Sequence, residues 1–363
     1  MRTFTGLDMV FRLLAGTLSG SELETALTTN AAAYLGPWRE ILKTTELNAL
    51  LNSPTALAAI FASETAFDAL LNSGDSGYAL AASDSATLLI SNTSAAAKTV
   101  VTNSAYLDFW WTVPANKTRL QNRINQSGSK LLRWDFTASG TWTVPGGGLV
   151  ALSVFALGGG GNGGDGGNSG GAQLGGGGSG AESKTIALTS GLPNTNQTVT
   201  IGGAAASSSF GSIISAAGGQ NGTTAGSPAT GGGTDSGTIY DTAPATGVFQ
   251  PSTASKKGGN GASTSTSGSN VNGGAGSAGL TGSGGAGGTQ NGSNCVAAGA
   301  GTGIGSGGGT GAGIWPSGGG NASGESAASN SGCGAGGGSA TVSGGGAGGS
   351  GGTGYIVVYA VKA

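Results

Sequence analysis

The sequence predicts a multidomain chain with an N-terminal α-helical repeat region, a short β-linker and a C-terminal glycine-rich β/polyglycine-II domain. Three observations predict it. A ten-residue phase repeats through residues 49–88, and Trp-Thr-Val-Pro occurs at residues 111–114 and again at 142–145. Only eight of the 79 glycines precede Pro145, so glycine makes up about a third of everything after it.

Residues 1–48 read as a helical attachment region, with Leu23, Leu27, Trp38, Ile41, Leu42 and Leu47 as expected buried positions and Gly36-Pro37 as a break. Phe4, Leu7, Met9, Val10, Phe11, Leu13 and Leu14 crowd its start. Two readings fit them equally, a surface that docks on a partner and a local contribution to the core.

Residues 49–97 read as a decad-repeat helical stalk. ALLNSPTALA, AIFASETAFD, ALLNSGDSGY and ALAASDSATL place Ser53, Ser63, Ser73 and Ser83 on one phase. Each serine oxygen caps the next turn by accepting a backbone N–H, and Ala, Leu and Phe then supply an apolar face. Helices this short are marginal alone in water, so the units must stack. One amphipathic helical hairpin with an incidental repeat is the plainer alternative. Residues 98–135 read as the β-linker, each Trp-Thr-Val-Pro ending a strand where proline removes a ladder donor. Arg119, Arg123, Lys130 and Arg133 form the only basic cluster, read as a solvated surface or a salt-bridge region between subunits in preference to an anion site.

Residues 136–363 form the glycine-rich domain. Strands are expected at 149–157, 184–188, 197–201, 210–215 and 355–361, the last returning beside the first. Residues 216–354 hold only eleven large apolar or aromatic side chains, too few for a conventional core. Collagen fails for want of a Gly-X-Y register. Charged residues make up 8% of the chain and the net charge is −2, a poor fit to charge-rich disorder and to the basic footprint nucleic acid needs. Ordering glycine costs about 0.5–1 kcal/mol more per residue than alanine, and backbone hydrogen bonds between adjacent extended runs are the remaining source to offset it. The expected arrangement is a layer of such runs laid against a small sheet.

Catalytic chemistry is largely excluded. The chain has no histidine, which removes Ser-His-Asp, Cys-His and His-ligated metal sites. After Pro145 the only acids are Asp165, Glu182, Asp235, Asp241 and Glu325, and nothing marks the Asp235/Asp241 pair as buried. A G-x-G-x-x-G match at 303–308 arises by chance in sequence this rich in glycine. GGNGGD at 160–165 begins like a calcium nonapeptide, but Gly167 stands where a large apolar residue is required. No enzyme activity, cofactor or metal is expected. Cys295 and Cys333 have no C-x-x-C partner. Asp8 and Arg12 interrupt any signal-peptide core, and the apolar run 149–157 is too short to span a bilayer as a helix, so a soluble protein made in the cytoplasm without a signal is expected.

FTASGTWTVPGGGLVALSVFALGGGGNGG, GGGSGAESKTIAL, TVTIGG, SSFGSIISAAGG and GGTGYIVVYAV together resemble the glycine-rich domain of tailed-bacteriophage tail fibres and adhesins, over residues 136–363. The decads resemble alanine-rich repeats of phage tail proteins over 46–94. The resemblance implies a virion component in which polyglycine-II helices pack together and present loops to receptors on the bacterial surface, saccharide or outer-membrane protein, with other virion proteins met through the N-terminus. Its glycine spacing is less regular than the family's. Stalks of this kind imply a homotrimer; neither nucleic-acid binding nor membrane insertion is expected. The receptor-binding residues are expected in interruptions of the glycine pattern: Asp235, Tyr240, Asp241, Phe249, Lys256 and Lys257 in 235–257, Trp315, and a third interruption at 321–330. Aromatic faces beside polar groups suit such surfaces, although Phe249 and Trp315 equally suit plugging gaps between runs. The alternative function is a capsid-attached head fibre or decoration protein without a receptor site.

Overall fold

Serine or threonine every ten residues sets the N-terminal half. The computed structural model describes residues 6–43, 45–103, 106, 109–110, 113–166, 175–223, 255–256, 283, 285–286, 290–291, 294–295, 298–300, 322–341 and 344–363. Helices α1 (Gly6–Leu14), α2 (Gly20–Thr29), α3 (Ala31–Ile41), α4 (Glu46–Leu51), α5 (Pro54–Phe61), α6 (Glu64–Asn72), α7 (Gly74–Ala82), α8 (Asp84–Asn92), α9 (Ser94–Thr102) and α10 (Pro114–Gln121) follow one another. Burial keeps the decad: residues 56, 57, 60 and 61 are buried, as are their counterparts ten, twenty, thirty and forty positions on. Ser53, Ser63 and Ser83 accept from the amides of Ala56, Ala66 and Ala86 at 3.2, 3.1 and 3.2 Å. Ser73 makes no such cap; Ser76 Oγ there donates to Leu42 O at 2.7 Å.

The stacking rule is not visible in the decad itself. α1 packs on α4, α2 on α5, α3 on α6, α4 on α7 and α5 on α8. From α1 to α8 the helices therefore coil with three to a turn, each of α1 to α5 packing on the helix three places along. Side chains tie successive turns: Trp38 Nε1 donates to Ala66 O at 3.3 Å and Ser83 Oγ to Leu51 O at 3.2 Å. Glu24 on α2 caps α6, its carboxylate accepting from Ser63 Oγ (2.7 Å), Thr65 N (2.9 Å) and Thr65 Oγ1 (2.6 Å).

The strands are β1 (Leu131–Phe136), β2 (Gly140–Trp142), β3 (Leu149–Leu157), β4 (Ser183–Leu188), β5 (Gln197–Thr200), β6 (Ser208–Phe210), β7 (Ile214–Ala216), β8 (Ser255–Lys256), the short pairs β9 (Gln290–Asn291) with β10 (Asn294–Cys295) and β11 (Ala340–Thr341) with β12 (Gly344–Gly345), and β13 (Tyr355–Lys362). The main antiparallel sheet runs β1-β13-β3-β4-β8, and a second runs β2-β5-β6-β7. Alternation along β3 and β13 divides the core. Ala151, Phe155, Leu157, Tyr355, Val357, Tyr359 and Val361 join the helical core, where Ser153 Oγ also donates to Val101 O of α9 at 2.8 Å. Leu152, Val154, Ala156, Ile356, Val358 and Ala360 face the second sheet with Trp142, Val199, Phe210 and Ile214. The main sheet is thus the middle of three layers.

Several expectations need correction. Most of the segment 98–135 is not a β-linker: residues 98–102 complete α9, and Pro114 opens α10, where its missing N–H costs nothing. Among its described residues only β1, at its end, is strand. Residues 210–215 are a hairpin, because Gly211 turns with φ +51° between β6 and β7. Arg119 and Arg133 are paired within the chain, to Asp84 at 3.0 Å and Asp135 at 2.7 Å.

Glycine runs continue strands of the main sheet along the chain. Residues 158–166 continue β3, 175–182 lead into β4 and 346–354 lead into β13. Their hydrogen bonds advance in steps of three. Gly160, Gly163 and Gly166 donate to Gly352, Gly349 and Gly346; Gly175, Gly178 and Ala181 donate to Gly338, Ala335 and Gly332; Gly176, Ser179 and Glu182 donate to Thr223, Gln220 and Ala217. Run 331–339 is buried throughout and bonds to runs around it at 161–164, 175–181, 346–352 and 322–325. A Cβ on Gly160 would lie 1.8 Å from Cys333 O, on Gly334 1.9 Å from Gly178 O, and on Gly337 1.9 Å from Gly175 O. Among the described residues no helix is long and apolar enough to cross a membrane.

Gly334→Ala is expected to destabilise the protein by about 2 kcal/mol or more in chemical denaturation, because the obstacle is backbone. Gly203→Ala, where a Cβ meets nothing within 4 Å, is the matched control, expected within about 0.5 kcal/mol. At Glu24, burial pushes the carboxyl up, and the bonds from Thr65 and Ser63 outweigh it and hold the group below its ordinary value. Its contribution is present above the ordinary glutamate range and is lost as pH falls through the lowered value. Glu24→Gln is therefore expected to cost about 1 kcal/mol at neutral pH and progressively less in acid, read from denaturation midpoints across pH.

Candidate functional site

Glycine offers no side-chain chemistry, so a candidate site must draw on the residues that flank the runs and on the few polar side chains within them. Gly164 N bonds to Gly176 O and Gly176 N to Thr223 O, Gly175 N to Gly338 O, Ser339 N to Ala322 O, Gly346 N to Ser339 O, and Gly166 N to Gly346 O. These contacts gather at one end of the runs both flanks of 167–174 (Gly166 and Gly175), Thr223 before 224–254 and Ala322 after 301–321, together with the β11–β12 hairpin. The other end is the junction with the main sheet, where Gly158 N donates to Glu182 O and Ala217 N to Glu182 Oε2 at 2.8 Å.

Asp235, Tyr240, Asp241, Phe249, Lys257 and Trp315 lie outside the described residues. What is placed is the chain on either side of them. The segment holding the first four departs after Thr223, at the gathered end, and returns at β8, where Lys256 pairs with Ser183 and Ser255 with Lys184. The segment holding Trp315 re-enters at Ala322, also at that end.

The third interruption is described from Ala322 onward. Residues 322–330 form an outer run with Ser323, Glu325, Ser326, Ala328 and Ser329 exposed. Glu325 N donates to Ala298 O, its carbonyl accepts from Gly336 N, and its Oε2 accepts from Ala300 N at 3.2 Å. The run ends in a turn fixed by Asn330 at φ +57°, whose amide donates to Thr353 Oγ1 at 2.8 Å and whose Oδ1 accepts from the same hydroxyl at 3.1 Å. At the opposite pole of the chain, Met9, Val10 and Leu13 are buried in the helical core, Leu14 is partly buried against it, and Leu7 and Phe11 are 52% and 65% exposed. Phe4 lies outside the described residues.

A set of polar side chains that sequence reasoning passed over fastens the runs. Asn221 Oδ1 accepts from Asn162 N (2.8 Å), Asn162 Oδ1 from Gly351 N (2.9 Å), Asp165 Oδ1 from Gly348 N (2.8 Å), and Ser179 Oγ from Gln220 N (2.7 Å). Asn162 and Asp165 are the polar members of GGNGGD. Their spacing of three, equal to the step of the hydrogen bonds, was the available signal. Buried Cys333 sits in run 331–339. Among the described residues no cluster of acids and cysteines is placed to hold a metal ion.

No model of a known protein family matches the chain, and a search of curated proteins finds no match.

Asn162→Ala removes an acceptor from Gly351 N between two runs. The expected cost is about 1–2 kcal/mol, measured by chemical denaturation, with faster amide hydrogen exchange at Gly351.

Proposed function

We propose that the chain is a structural virion fibre protein of a tailed phage, with its helical region toward the virion and its glycine runs holding host-binding connections at their far end. The observation that supports this most directly is the gathering of Gly166 and Gly175 on either side of 167–174, Thr223 before 224–254 and Ala322 after 301–321, with the β11–β12 hairpin, at the end of the runs remote from the sheet. Loops held by a rigid scaffold are where binding residues concentrate. The runs themselves we read as helices of the polyglycine-II type, since their bonds advance by three residues, the repeat of that extended helix. On this reading the protein is a non-enzymatic adhesin, carried on the virion as a homotrimer. Its receptor is a saccharide or protein of the bacterial surface, contacted through Asp235, Tyr240, Asp241, Phe249, Lys257 and Trp315; Lys256, paired with Ser183 in β8 at the sheet, is not part of that end.

The test is binding of the full chain to intact bacteria from a panel of strains, beside a variant in which 235–250 is replaced by a glycine-serine linker and Ser255–Lys256 is kept. Strain-selective binding by the parent, reduced at least tenfold in the variant, is the expected result. A folded parent that binds no strain would replace this reading with a capsid-decorating fibre.

A further inference from the structure

The packing of the runs sets glycine directly after two asparagines. A Cβ on Gly163 would lie 2.0 Å from Gly336 O and one on Gly222 2.0 Å from Gly176 O, so neither position admits a side chain. The result is Asn162-Gly163 and Asn221-Gly222. Asparagine before glycine is chemically labile, because a glycine nitrogen with no side chain beside it is free to reach the asparagine side-chain amide.

Burial does not protect these pairs, since Asn162 is half-buried and Asn221 exposed. Hydrogen bonds hold both reacting partners instead. Gly163 N donates to Gly349 O at 3.0 Å while Asn162 Oδ1 accepts from Gly351 N at 2.9 Å, so nucleophile and side chain are clipped to one run, 346–354. Gly222 N donates to Asn162 O at 2.8 Å and Asn221 Oδ1 accepts from Asn162 N at 2.8 Å, which clips the second pair to residue 162 itself. Ring closure needs the nitrogen released and aligned on Cγ. Each pair has both groups engaged elsewhere.

We propose that Asn162 and Asn221 are modification sites gated by the glycine runs, closed to deamidation while the runs pair and converted when they open. On opening, Gly163 N gives up its proton and bonds to Asn162 Cγ; the Cγ–Nδ2 bond breaks and the amide leaves as ammonia, carrying that proton. Water then opens the cyclic imide, at Cγ to give aspartate or at the backbone carbonyl to give isoaspartate. Gly222 and Asn221 react in the same way. Isoaspartate routes the backbone through Cβ and Cγ, lengthening it by an atom within a pattern that advances in threes, and so prevents reclosure on 346–354. Modification thus makes a reversible opening permanent. It concerns the runs alone, whatever their far end binds.

The test incubates the full chain in mildly alkaline buffer, folded and in guanidinium chloride, and follows residues 162 and 221 by peptide mass mapping. Conversion at both is expected to be slower in the folded chain by about tenfold or more, because only the opened fraction reacts. Asp165→Ala removes the acceptor of Gly348 N beside these bonds and leaves both asparagine-glycine pairs intact. It is expected to quicken amide exchange at Gly163 and conversion at Asn162 by the same factor, each rate taken relative to the same variant in denaturant. Protein converted to isoaspartate at 162 in denaturant and then refolded is expected to keep its helical circular dichroism and lose slow exchange at Gly351. Equal conversion in folded and denatured chain, faster exchange at Gly163 without faster conversion, or slow exchange retained at Gly351 in the isoaspartate form would each overturn the proposal.

Discussion

The architecture of the C-terminal half depends on backbone meeting backbone where no Cβ intervenes. Between runs 158–166, 175–182, 331–339 and 346–354, carbonyl oxygens stand within 1.8–2.2 Å of where a Cβ would be at Gly160, Gly163, Gly175, Gly178, Gly334 and Gly337. Only glycine permits that approach, so the composition is a steric requirement. The energetic consequence is less generous. A buried backbone hydrogen bond contributes about 0.5–1.5 kcal/mol net, and ordering a glycine costs about 0.5–1 kcal/mol more than ordering alanine. The two are close enough that such runs have little stability of their own.

The runs accordingly grow from something more stable. β3 and β13 are buried strands with apolar layers on both faces, and the hydrogen bonding of the sheet passes into the runs at Gly158, Glu182 and Gly354 without a break. The helical coil performs the same service from below. Its helices are individually too short to persist, but residues 56, 57, 60 and 61 and their decad equivalents are buried between turns, and α9 seats the coil on β3. Apolar burial in the coil and the sheets thus supports order in glycine runs that have almost none.

What could be read in the sequence follows from how local each feature is. Serine capping is a three-residue event, and the phase of Ser53, Ser63 and Ser83 revealed it. The strands at 149–157 and 355–362 announced themselves by β-branched and aromatic side chains. The step from each helix to the third beyond it was hidden because the decads repeat every ten residues and carry no thirty-residue mark. The helix at Pro114 was hidden because proline serves equally as a strand end and as a first helical residue. That the runs continue the strands depends on chain direction at Gly158 and Gly354, which composition does not encode. The fastening by Asn162 and Asp165 went unread because GGNGGD invites comparison with a metal-binding repeat instead of a count in threes. The residues first singled out for receptor contact owe their candidacy to being unlike glycine, and their placement rests on their flanks alone.

A scaffold of this kind separates two demands that ordinary cores combine. In a packed core each side chain must fit its neighbours, so a change at the surface often propagates inward. Here the buried contacts of runs 175–182 and 331–339 are made mostly by backbone, which is the same for every residue, and the sequence constraint reduces to keeping glycine where a carbonyl is close. Where no carbonyl stands close the constraint lapses, as at Gly203, where a Cβ meets nothing within 4 Å. For a protein proposed to meet a changeable bacterial surface, this lets recognition segments be exchanged while the frame that holds their ends stays fixed.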